Sequence, residues 1–167
     1  EFIEPLTEDL NTYTIFQKGS YAAADTFRCL VDDEPMAQVL TNSMEARPNA
    51  DDGVLRTYRL ALSCTGEYTA YFGGTKALAL AAVNNTMTRV NGVFENDFNA
   101  RMVLIANTDL VIYTDAATDP YTTSYNSQLQ STLTSVIGDA NYDVGHLFVR
   151  ASNNGNAGCI GCICASG

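Results

Sequence analysis

The sequence predicts an α/β domain: a twisted, mostly parallel sheet with two main helices and an antiparallel edge strand on one margin. Three observations predict it. The run Leu55 to Thr65 is the best strand signal of the chain, and it leads through Gly73-Gly74 into the longest helix signal. Strand and helix signals then alternate up to residue 150, the order that builds parallel sheets. After a Gly/Asn turn at Ser152 to Gly158, a short Cys-rich return suits an antiparallel edge.

Within Leu55 to Thr65, Arg56, Tyr58, Leu60, Leu62 and Cys64 alternate with Thr57, Arg59, Ala61 and Ser63. From Tyr58 onward both faces can be buried, as in a central strand of a helix-covered sheet. Thr65 and Gly66 break the run, and Tyr68 to Phe72 reads as a connecting loop. A helix follows from Thr75 to Asn91. Leu80, Val83, Met87, Val90 and Phe94 recur at helical spacing, so the stripe reads as core.

Arg101 to Asn107 is a second buried strand, and Leu110 to Tyr113 continues it past a bulge or forms a short strand of its own. The polar loop Asp115 to Asn126 precedes a second helix, Ser127 to Ile137, with Leu129, Leu133, Val136 and Ile137 on one side and Gly138 as terminator. Tyr142 to Arg150 is the third strand. Tyr142, Val144, His146 and Phe148 share one of its faces.

Residues 1–53 read differently. Pro5, Pro35, Pro48 and the turn Asp51-Asp52-Gly53 punctuate them without a sustained period, as in a leader or pro-type segment, with short strand signals at Tyr13 to Gln17 and Thr26 to Val31. The domain division is therefore 1–53 and 54–167. A net charge of −10 opposes phosphate binding, so nucleic acid is excluded as a partner. No apolar run approaches the roughly 20 residues that span a bilayer. Few lysines, many Asn and Thr residues and the acidic balance lean toward a secreted or cell-surface protein.

The search for chemistry returns little. His146 is the single histidine, on an apolar strand face, and reads as a hydrogen-bonded core residue. Cys64 reads as a buried free thiol. Cys159, Cys162 and Cys164 read as disulfide or buried thiols, because strand alternation would split them between faces and a structural zinc site needs a full tetrahedral ligand set. Glu95, Asp97, Asp115, Asp119 and Asp143 read as solvated or capping groups and leave room for a calcium site if several oxygens converge.

Four stretches together carry a resemblance: Arg56 to Thr75, Thr88 to Glu95, Leu110 to Tyr121 and Asn141 to Phe148. They resemble the reprolysin-like (adamalysin-related) metzincin zinc metallopeptidases of secreted bacterial proteins, in order and over residues 55–164. The resemblance implies a metzincin-like upper subdomain whose antiparallel edge strand borders the cleft. Here that edge is Ala157, Gly158, Cys159, Ile160, Gly161 and Cys162, continuing to Cys164. A peptide or protein substrate would add to it as an extra strand. In the family, zinc lies on a following helix in His-Glu-x-x-His-x-x-Gly-x-x-His, where zinc-activated water attacks the peptide carbonyl.

This sequence contains no such motif, so no zinc ligand or general base is carried onto any of its residues. The resemblance implies zinc in the parent protein, none on this chain alone, and a remaining catalytic subdomain downstream. The chain by itself is expected to be inactive. The rival expectation is a non-catalytic peptide-binding or structural surface module derived from the same fold.

Overall fold

The computed structural model of the chain describes residues 2–5, 11–17, 53–151 and 155–157. At the start, β1 (Phe2–Pro5) and β2 (Tyr13–Phe16) pair antiparallel, with Ile3 opposite Ile15. β2 falls on the expected strand signal. β1 has no counterpart in the sequence expectation, and the signal at Thr26 to Val31 lies outside the described residues.

The organising element is β3 (Arg56–Cys64), flanked by β4 (Ala100–Leu104) and β5 (Val144–Phe148), both parallel to it, in the order β4-β3-β5. Leu60 through Cys64 are wholly buried, whereas Arg59 is exposed. Burial of both faces thus begins two positions later than the expected Tyr58, because Arg59 turns outward to meet Asp143.

Tyr68 to Phe72 is not a loop. Gly66–Tyr71 forms a short helix, α1, in which the Thr65 hydroxyl accepts from the Tyr68 N–H at 3.3 Å, the N-cap bond that a threonine supplies. Gly66 is required at its start: a Cβ there would run into the backbone of Asp115 and Ala116. Gly73 and Gly74, with φ of 98° and 78°, then turn the chain in a region that side chains disfavour.

The long helix α2 (Lys76–Phe98) is capped by Thr75, whose hydroxyl accepts from the Leu78 N–H. It passes the expected end at Asn91 and stops where Asn99 adopts the left-handed conformation, φ 49°. Its buried residues are Ala79, Val83 and Met87, with Leu80 and Val90 partly buried. The apolar stripe is therefore centred on Val83, with the small Ala79 one turn before it and Met87 one turn after.

β4 ends at Leu104 and is half exposed, with Val103 at 47%. The expected fully buried strand to Asn107 is corrected accordingly. Leu110 to Tyr113 is not a strand either: a 3-10 turn covers Thr108–Val111, and Ile112 makes a single parallel bridge to Cys64. Helix α3 (Tyr125–Val136) ends at Gly138, φ 83°, as its terminator signal predicts. Leu133 and Ile137 are buried and Leu129 is partly so, but Val136 is 41% exposed and leaves the predicted face.

Two cores cover the two faces of β3. Leu60, Leu62 and Cys64 pack with Ala79, Val83, Met87 and Ile112; Ala61 packs with Val111, Leu133 and Ile137. Burying a leucine side chain stabilises by roughly 1.5–3 kcal/mol. The central strand is thus fixed from both sides, and with it the position of its carboxyl end.

Candidate substrate edge

Open α/β sheets place their ligand sites beyond the carboxyl ends of their strands, and several hydrogen bonds tie down that end of β3 and β5. The Thr65 N–H donates to the Phe148 carbonyl at 3.1 Å, and the Tyr113 N–H donates to the Cys64 carbonyl at 3.1 Å. Beneath them, the buried Ser63 hydroxyl lies 2.6 Å from the Val111 carbonyl and 2.7 Å from the Tyr121 hydroxyl. Asp119 binds two backbone amides, those of Gly66 at 2.7 Å and Tyr121 at 3.0 Å. Through these bonds the loop after the 3-10 turn is latched to the start of α1.

The latch is structural chemistry. Burial pushes the Tyr121 hydroxyl up to about 12 and the Cys64 thiol up to about 12. A thiol held that far above neutrality is neither a nucleophile nor a ready metal ligand. Cys64 is free and buried, as its place in the strand predicts. Sequence reasoning missed the Asp119 latch, although Asp119-Pro-Tyr121 stands in the loop as a recognisable turn signal.

Beside this end, β5 carries an aromatic group. The Tyr68 ring meets Phe72 and Phe148 at a tilt, with centroids 4.8 Å and 5.3 Å away, and the Arg150 guanidinium lies 3.9 Å from the centre of the Tyr71 ring. His146 meets Phe148 edge-on at 5.3 Å. It is exposed and makes no hydrogen bond to a described residue, so the expected core histidine is corrected. The surrounding protein atoms still strip part of its hydration and lower its pKa.

The carboxylates are also placed. Asp143 forms a forked pair with Arg59, 2.7 Å at the closest approach, and accepts the Arg59 backbone N–H as well at 2.7 Å. Glu95 pairs with Arg101 at 3.3 Å, and Asp115 accepts from the Ala117 N–H at 2.9 Å. Among the described residues no three His, Cys, Asp or Glu side chains converge on a metal position. The described donors do not fit zinc: His146 has no set of metal-ligating side chains beside it among them, and the described thiol, Cys64, is buried and protonated. Of the predicted edge, Ala157 is exposed and outside any regular strand, while Gly158, Cys159, Ile160, Gly161 and Cys162 lie outside the described residues, as do Cys29 and Cys164.

A parallel sheet enclosed by two long helices, with its carboxyl margin latched by the loop between its second strand and second long helix, is the architecture of a metzincin-like α/β domain. The chain belongs to the metallo-peptidase family M12B, reprolysin-like, whose model matches residues 54–167. No curated protein matches the chain. No helix among the described residues is long and apolar enough to cross a membrane.

Proposed function

We propose that residues 54–167 form the substrate-edge half of a secreted metalloendopeptidase, and that residues 157–162 accept an extended peptide as an added strand. The family match over this stretch carries the reading. The fold is compatible with it: β5 pairs parallel to the central β3 and is the last strand of the described sheet before residues 157–162. Backbone hydrogen bonds would supply the affinity and alternating pockets the side-chain preference. Residues 1–53 act as a leader or pro-type segment in this reading.

The hydrolytic step falls to a metal-bearing subdomain downstream, because the single histidine of this sequence cannot form the family's zinc motif. This chain alone is inactive and binds no stoichiometric zinc. The second reading is a non-catalytic peptide-binding or structural surface module derived from the same fold.

The test combines metal analysis with hydrogen exchange. After dialysis against zinc, the chain is expected to hold well under one equivalent and to leave a fluorogenic peptide mixture uncut; tight stoichiometric zinc or turnover overturns the inactive reading. Peptides from that mixture are expected to slow amide exchange at residues 157–162, and unchanged exchange there at saturating peptide overturns the edge assignment. In the parent gene, an in-frame His-Glu-x-x-His-x-x-Gly-x-x-His after Gly167 selects the peptidase over the module.

A further inference from the structure

The opposite margin of the sheet holds a different device. In a parallel ladder, alternate residues turn their N–H and C=O toward one neighbour and the residues between them turn theirs the other way. The ladder between β3 and β4 is bounded by the Arg56 N–H donating to the Asn99 carbonyl at 2.8 Å and the Ile105 N–H donating to the Leu60 carbonyl at 3.0 Å. The odd-numbered residues of β4 therefore face β3, and Ala100, Met102 and Leu104 present their backbone groups outward. No described strand pairs with that side. Such an edge is a template for a second chain.

At its centre the template is taken. The Asn91 side chain, reaching over from α2, accepts the Met102 N–H at 2.9 Å through Oδ1 and donates to the Met102 carbonyl at 2.9 Å through Nδ2. A carboxamide carries the same donor and acceptor pair as a peptide group, so one side chain satisfies both edge groups of one residue. Around it lies a groove of about 520 Å³ between α2 and β4, lined by Asn84, Thr88, Gly92, Glu95 and Arg101 among others. Gly92 leaves that groove without a side chain beside Asn91. An extended strand laid along β4 would have to displace the carboxamide.

We propose that Asn91 is an edge guard: its side chain imitates the neighbouring strand at Met102 and closes β4 against pairing with a second copy of the chain. The guard stands independently of what binds at residues 157–162. A shorter or apolar residue at position 91 would leave the Met102 groups unpaired, and copies would then associate edge to edge through β4.

Two measurements test it. In the native chain the Met102 amide is expected to exchange many-fold more slowly than the outward amide of Leu104; equal rates overturn the clasp. Asn91→Ala is expected to raise the dimer or oligomer fraction several-fold at equal concentration in light scattering, with Asn91→Ala/Val103→Lys restoring the monomer by placing a charge on the exposed strand. A folded Asn91→Ala chain that stays as monomeric as the native one overturns the guard. If Asn91→Ala loses its far-UV signature, Asn91→Leu, close in shape and a better helix former, carries the same reading: folded and more associated supports the guard, folded and monomeric overturns it.

Discussion

Arg59 and Asp143 show how one pair of side chains can look incidental in sequence and organise a strand margin in space. Separated widely along the chain, they meet because β3 and β5 are paired in register from Leu60 opposite Val144, which sets Arg59 beside Asp143. The guanidinium and the Arg59 backbone N–H hold the Asp143 carboxyl at about 2, below the usual carboxylate range. A depressed carboxyl pKa adds stability that is complete above its unfolded value near 4 and is lost as pH falls toward 2. The urea midpoint of the native chain is therefore expected to drop between pH 4 and pH 2 by more than that of Asp143→Asn. Equal acid sensitivity would show the pair to be inert. The difference is expected to be small, because the Arg59 side chain is 51% exposed and water screens the pair.

At the scale of elements, what was legible in the sequence was periodicity, and what was hidden was capping and contact. β3, α2, α3 and β5 all announce themselves through alternation or helical spacing, and the strand–helix alternation gives the parallel sheet. The boundaries slipped where a tertiary bond decided them. α1 reads as a loop in sequence because six residues carry too little period to register, while its formation depends on the Thr65 cap and on Asp119 holding the Gly66 N–H. Similarly, α2 runs past Asn91 to Phe98, where a Phe94–Phe98 ring contact spans its last turn and Asn99 ends it. His146 departs from expectation for the converse reason: an apolar neighbourhood in sequence does not reveal which positions on a strand face the packing helices leave uncovered. The predicted edge strand rests on the Gly/Asn turn, the short Cys-rich return and the family resemblance, since its residues from Gly158 onward lie outside the described ones. Removing a cap tests the account of α1: Thr65→Ala is expected to lower unfolding free energy by about 1 kcal/mol, as loss of a threonine N-cap does. Thr75→Ala at α2 should cost a similar amount. Denaturant melts that leave both variants at native stability would mean that tertiary packing alone holds these helix starts.

For the whole molecule, the two cores around β3 set an alkaline limit to stability. Cys64 is entirely shielded from solvent at the centre of the sheet, and burial raises its thiol to about 12; Tyr121, hydrogen-bonded to Ser63, is raised to about 12, and Tyr68 is raised as well. In each case the folded state disfavours the charged form. The unfolded chain releases these protons first, near 8.5 for the thiol and near 10 for the phenols, so it is the unfolded state that gains as pH rises. Stability is thus full below about pH 8.5 and declines from there toward 12, with Cys64 alone contributing a slope of at most about 1.4 kcal/mol per pH unit. Cys64→Ala removes the thiol together with part of the packing, so it is expected to be less stable at pH 7 yet to lose less on going from pH 8 to pH 10.5. Equilibrium urea unfolding at these pH values reads both quantities. Parallel pH profiles for the native and Cys64→Ala chains would mean that the thiol does not titrate between the two states, and that the alkaline limit belongs to the tyrosines alone.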